Sequence, residues 1–142
     1  MKVKDCMCRC VVSANKDTSV LDLSKLMKEN DIGSIPICDE DKNIIGIVTD
    51  RDIVLRSVAD NKEPEKIKAE EIMSKDYIIK LDINSSITEA SNLMSNNQIR
   101  RIPVIEENKL VGIISIGDLA RNNDISTSNV GRALECICMD FD

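Results

Sequence analysis

Histidine and tryptophan are absent from this 142-residue chain, and its aromatic side chains are confined to Tyr77 and Phe141. Without histidine there is no commonest general base, no usual metal ligand, and no Ser-His or Cys-His nucleophile arrangement. Without aromatics the core has to be aliphatic, built from Ile, Leu, Val and Met. No apolar run approaches the length that spans a bilayer. Positive charge is also short: the formal net charge is −6, which argues against nucleic acid or an anionic membrane as partner. The segment 1–10 alternates charge and cysteine and lacks the apolar middle of an export signal. The expected location is therefore the cytoplasm, with the six cysteines as reduced thiols. What remains, 42% hydrophobic and 31% charged residues, is ordinary for a globular protein.

The dominant positive feature is an internal repeat. Ile35-Pro36-Ile37 returns as Ile102-Pro103-Val104, an offset of 67 that also maps Val20 to Ile87, Met27 to Met94 and Ile32 to Ile99. Gly46-Ile47-Val48-Thr49-Asp50-Arg51-Asp52-Ile53 is echoed by Gly112-Ile113-Ile114-Ser115-Ile116-Gly117-Asp118-Leu119 at an offset of 66. Cys6-Met7-Cys8 matches Ile72-Met73-Ser74 at the same offset.

Each copy reads as β-α-β-β-α. Strands are expected at 10–14 and 77–81. Ser19-x-x-Asp22 and Ser86-x-x-Glu89 cap the helices that follow. Their apolar stripes are Val20, Leu23, Met27 and Ile87, Ala90, Met94. Gly33 is expected to terminate the first helix. Strands 34–38 and 101–105 follow, joined by short polar turns to strands 44–49 and 110–115. Short turns imply hairpins, and the intervening helix implies a parallel crossover. Final helices are expected at 51–59 and from 117 to about 122. The stretch 60–70, rich in Lys and Glu, reads as a solvated linker. After the second copy, Ser126-Thr127-Ser128 can cap a last helix with Val130, Ala133, Leu134 and Ile137 on one face. The expected fold is α+β: repeat 1 at 1–60, a linker at 61–68, repeat 2 at 69–122 and a helical tail at 123–142. Two thin sheets packed as a pseudo-two-fold pair would bury what one cannot.

Chemistry concentrates where the third strand of each copy turns into a helix. A hydroxyl beside free N–H groups suits phosphate oxygens, and a carboxylate accepts hydrogen bonds from both hydroxyls of a ribose. Thr49 with Asp52, and Ser115 with Asp118, supply that combination twice. Asp50, Asp52 and Asp118 fit equally well as helix caps, and the two roles are compatible. Arg100 and Arg101 stand where the first copy has Gly33 and Ser34, and they suit a polyphosphate. Arg51 is a further candidate, whereas Arg56 reads as a surface helix residue. An apolar slot for a base is available from Val12, Ala14, Ile35 and Pro36 in one copy. The other copy offers Ile79, Leu81, Ile102 and Pro103. The same residues serve as ordinary core. The two sites are unequal and should differ in affinity.

The strand, helix, Ile-Pro-Ile/Val strand, hairpin and Gly-Ile-Val-Thr-x-Arg-Asp-Ile resemble a CBS domain, the type named after cystathionine β-synthase. The resemblance covers roughly residues 3–122. With the Asn129-x-Gly131-x-Ala133-Leu134 tail, the chain is similar to the small stand-alone bacterial CBS-pair proteins. The resemblance implies a non-catalytic regulatory or energy-sensing module with no required cofactor. It implies adenosyl ligands (AMP, ADP, ATP, S-adenosylmethionine, with NAD(H) a further possibility) in clefts between the repeats. It also implies a homodimer acting on a partner protein. Two alternatives are a ligand-free interaction scaffold and a cysteine-based metal or thiol sensor. In the latter, Cys6-x-Cys8-x-Cys10 and Cys136-x-Cys138 would meet across a dimer. Structural zinc sites usually space their cysteines C-x2–4-C instead. The matches of Cys6 to Ile72, Cys8 to Ser74 and Cys38 to Ile105 point to small, buried thiols.

Overall fold

The computed structural model describes residues 1–122 together with residues 131, 132 and 134. Those last three are helical. The rest of the tail-helix reading, with Cys136 and Cys138, lies outside the described residues. No helix among the described residues is long and apolar enough to cross a membrane.

The chain divides into two compact units, Val12–Ile78 and Met1–Val11 with Ile79–Asp142. The first-repeat unit holds α1 (Val20–Asn30), β1 (Ser34–Cys38), β2 (Ile44–Thr49), α2 (Asp50–Ile53) and α3 (Ala69–Ile72). A π turn over Val54–Val58 continues α2. The second-repeat unit opens on a 3-10 turn, Val3–Asp5. It continues with β3 (Leu81–Asp82), α4 (Ile87–Asn97), β4 (Arg101–Glu106), β5 (Lys109–Ser115) and α5 (Ile116–Ala120).

The caps form as the spacing predicts. Ser19 Oγ accepts from Asp22 N–H at 3.0 Å, and Ser86 Oγ from Glu89 N–H at 3.1 Å. The C-termini differ from expectation. Asp31 (φ 52°) and Gln98 (φ 54°) take the left-handed position, and among the described residues no glycine has positive φ. The N–H groups of Ile32 and Ile99 then reach back to the carbonyls of Met27 and Met94. Both isoleucines pack against the cores, the apolar contact that often accompanies such a termination. Gly33 has a different use: a β-carbon there would lie 3.1 Å from Asp50 Oδ2.

The antiparallel hairpins β1–β2 and β4–β5 pair in matching register, Pro36 with Ile47 and Pro103 with Ile113. The expected first strands nearly vanish. Of 10–14 only Ala14 pairs, in a parallel bridge to Ile37, and of 77–81 only Leu81 does, continuing to Asp82. Proline explains this. Ala14 N–H donates to Pro36 O and Cys38 N–H to Ala14 O. The next donor along that edge would be the proline nitrogen, which carries no hydrogen. Tyr77 is left 87% exposed.

Each sheet gains an extra edge from outside its own repeat body. Ser74 exchanges hydrogen bonds with Ile47 at 2.9 and 3.0 Å, and Cys8 with Ile113 at 2.8 and 2.9 Å. The lead-in of the second repeat thus completes the first-repeat unit, and Met1–Cys8 completes the second-repeat unit. The reading of 60–70 as solvated needs correction for the same reason. Ile67 and Ala69 are buried in the core with Val20, Leu23, Ile35, Val48 and Ile72. The matching core is Val3, Leu81, Ile87, Met94, Ile102, Val104, Ile114 and Leu119. Both are aliphatic.

Candidate functional site

Alternation along β2 buries Ile44, Gly46 and Val48 and leaves Thr49 half-buried at the strand's end, where α2 begins. Thr49 Oγ1 accepts from Asp52 N–H at 3.1 Å, and Asp52 Oδ2 accepts from Thr49 N–H at 2.9 Å. Ser115 and Asp118 repeat this reciprocal pair at 3.1 and 2.8 Å. Both expected pairs are therefore capping boxes. In each, one carboxylate oxygen is committed to the turn and the other is turned outward.

The outward oxygens have partners that the sequence reading missed. Asp52 Oδ1 lies 3.8 Å from Arg56 Nη1, and Asp118 Oδ1 is paired with Arg121 Nη2. The aspartate side chains are each 14% exposed, the arginines 50% and 74%. Spacings of i,i+4 and i,i+3 were the available signal. Arg56 also donates from Nη1 to Ile72 O at 2.8 Å, so it bridges α2 to the end of α3.

Arg100 and Arg101 are both exposed. Arg101 lies opposite Ser115 in the β4–β5 register, and Arg100 O accepts from Ile116 N–H at 2.8 Å. The backbone thus sets both residues beside the Ser115–Asp118 turn. In the first-repeat unit the same bond runs from Asp50 N–H to Gly33 O at 2.9 Å. Arg51 is exposed, and its N–H donates to Asp50 Oδ1 at 2.8 Å.

The apolar slot requires correction. Ile35, Leu81 and Ile102 are sealed in the cores and line no surface. Pro36 and Pro103 are buried as well, while Val12, Ala14 and Ile79 are half-buried. Paired strands turn alternate side chains inward, and position 35, with 102, is an inward one.

Among the cysteines, Cys38 is buried and Cys6 half-buried; Cys8 is exposed, contrary to expectation, and so is Cys10. Cys8 sits on a sheet edge at a position where its counterpart Ser74 is also exposed. Burial pushes the Cys6 thiol up, reinforced by the carboxylates of Asp118 and Asp5. Burial and then Asp39 push Cys38 up. Cys6 Sγ donates to Val3 O and Cys8 Sγ to Cys10 O. Among the described residues, no three Cys, Asp or Glu side chains are grouped to hold a metal ion.

Two repeats of helix, β-hairpin and closing helix, each with a hydroxyl–carboxylate box where the hairpin meets that helix, define a tandem regulatory pair, and the chain belongs to the CBS domain family. That family's profile matches residues 3–58 and 69–123. Hypoxic response protein 1 of Mycobacterium tuberculosis is 39% identical over 119 residues, 84% of this chain and 82% of that protein. Its crystal structure, described with two coordinated zinc ions, superposes with a TM-score of 0.79 at 37% identity, covering 86% of this chain and 98% of that one. The CBS domain-containing protein YhcV of Bacillus subtilis is 36% identical over 132 residues, 93% of this chain and 91% of the relative. The CBS domain pair of protein MJ0100, in complex with 5'-methylthioadenosine and S-adenosyl-L-methionine, gives a TM-score of 0.74 at 28% identity. It covers 85% of this chain and 94% of that one.

Proposed function

We propose that this CBS pair is a non-catalytic cytoplasmic sensor of adenosyl compounds, with Asp52 and Asp118 as the ribose acceptors and the hydroxyls of Thr49 and Ser115 as contacts to the group at the 5' end. One observation carries the reading. In both boxes a carboxylate oxygen is left outside the turn and, among the described residues, faces an arginine at least half exposed. Such a pair is worth little in solvent, so a diol can replace it at small cost. The MJ0100 pair, with its two adenosyl ligands, supports the class of compound. Val12, Ala14 and Ile79 are the half-buried apolar side chains left for the base. The module would work as a homodimer on a partner protein. Val54, Leu55 and Val58, exposed on the π turn, are an apolar surface that a second copy would cover.

Calorimetry with AMP, ATP, NADH and S-adenosylmethionine tests the reading, on wild type and on Asp52→Asn and Asp118→Asn. Asparagine keeps an oxygen for the Thr49 or Ser115 N–H but loses the anionic diol acceptor. Binding should weaken at least about tenfold in each variant's own site, with little change in melting temperature. Absence of heat with every compound defeats the sensor.

The two zinc ions of the hypoxic response protein favour a second reading, a metal sensor using Cys8 and Cys10. Elemental analysis of anaerobically purified protein separates the two. Stoichiometric zinc that is lost in a Cys8→Ser, Cys10→Ser variant would establish it, and metal-free protein would sink it.

A further inference from the structure

Two substitutions between the repeats are coupled in space. In the first-repeat unit Gly33 has no side chain, and the Asp50 carboxylate fills the room above it, 3.1 Å from where a β-carbon would stand. In the second-repeat unit the same two positions are Arg100 and Ile116, joined by the same backbone hydrogen bond. An acid over a glycine has been exchanged for an aliphatic beside an arginine. A third exchange sits one residue on. Arg51 of the first turn becomes Gly117, and Arg121 Nη1 lies 3.4 Å from the β-carbon position of Gly117. The Arg121 guanidinium folds over the turn to Asp118.

The turn at Ser115 therefore has the more positive surroundings. Around Thr49 stand Asp50 and Asp52, with Arg51 exposed and Arg56 tied to a backbone carbonyl. At Ser115 the backbone sets the exposed Arg100 and Arg101 beside the turn, and Arg121 pairs with Asp118. Asp118 and Asp52 are held in the same geometry, so the difference lies in the residues around the ribose acceptor and not in the acceptor itself.

We propose that the two sites sort adenosyl ligands by the charge at the 5' end. The site at Ser115–Asp118 takes a ligand with a phosphate chain, which Arg100, Arg101 and Arg121 neutralise. The site at Thr49–Asp52 takes an adenosyl compound that is neutral or cationic there, because Asp50 repels a phosphate and attracts a cation. The specificity determinants are Asp50 and Arg100, set by what stands opposite each. This sorting rests on the adenosyl reading above.

The test is calorimetry of the full chain with ATP and S-adenosylmethionine, on wild type, Arg100→Gln with Arg101→Gln, the corresponding double lysine variant, and Asp50→Asn. Removing two cations from the phosphate site should lower ATP affinity at least about tenfold and leave S-adenosylmethionine within about twofold. The double lysine variant should recover most of the loss. Asp50→Asn should weaken S-adenosylmethionine at least about threefold without weakening ATP. Raising salt should weaken ATP more than S-adenosylmethionine. Unchanged ATP affinity in the double glutamine variant, or parallel loss of both ligands, overturns the sorting. If both ligands bind and Asp52→Asn and Asp118→Asn abolish binding, the adenosyl reading survives that failure. If neither ligand binds wild type, both fall together.

Discussion

Met73 lies directly over Gly46: a β-carbon on that glycine would stand 2.8 Å from Met73 Cγ. Gly112 is closed off by the matching lead-in, but its nearest obstacle is a backbone atom, Cys8 O at 2.7 Å. A thioether chain can swing aside, whereas a carbonyl in a paired edge cannot. Gly46→Ala should destabilise its unit by about 1–2 kcal/mol, and Gly112→Ala by about 2–3 kcal/mol. Urea unfolding of the two variants checks the order. Equal losses would mean that Cys8 yields as easily as Met73.

The lead-in segments contribute core as well as edge. Val3 is fully buried in the second-repeat core, although it lies in the first few residues of the chain. Val3→Ala should cost about 1–3 kcal/mol through lost burial and the cavity left behind. Hydrogen exchange should show the loss in β4, β5 and α4. Unaltered protection there would mean the segment is dispensable.

The boxes hold their turns whether or not a ligand binds. Thr49→Ala and Ser115→Ala each remove an acceptor for an N3 N–H and should cost about 1 kcal/mol. Thr49→Ser should restore most of it. Thermal melts of the three variants decide this, and a neutral Ser115→Ala would show that α5 needs no cap.

Alkaline pH offers a further check. The folded-state values of Cys6 and Cys38 are raised, so the folded protein keeps protons that the unfolded chain releases. Stability from this source is full below the unfolded thiol value of about 8.5 and is lost as pH rises toward the folded values. Under reducing conditions wild type should lose melting temperature above that pH. Cys6→Ile and Cys38→Ile, which copy the opposite repeat, should each lose less. Parallel pH curves for wild type and both variants would remove the thiols from the alkaline transition.

The repeat made most of the fold legible, because each helix stripe, cap and hairpin could be read twice. Reading failed where an element depends on partners distant in sequence. The strands at 10–14 and 77–81 have suitable residues, but Pro36 and Pro103 withhold the donors they need. Ile67 lies in a charged stretch that looks solvated, yet its carbonyl accepts from Val20 N–H and its side chain is buried. At the site the hydroxyl–carboxylate pairs were visible from spacing alone. Arg121 was missed although its i,i+3 spacing from Asp118 was there to be read. Asp50 was noted only as a cap, since nothing in the linear sequence says that it lies over Gly33.

The borrowed edge also has a temporal side. Val12–Ile78 is continuous, so the first-repeat unit is complete as soon as its own residues leave the ribosome. Cys8 must wait for Ile113, made about a hundred residues later, before its edge can pair. Until then Cys8 lacks the sheet edge that it pairs with. Translation order therefore separates two structurally matched halves into an early folder and a late one.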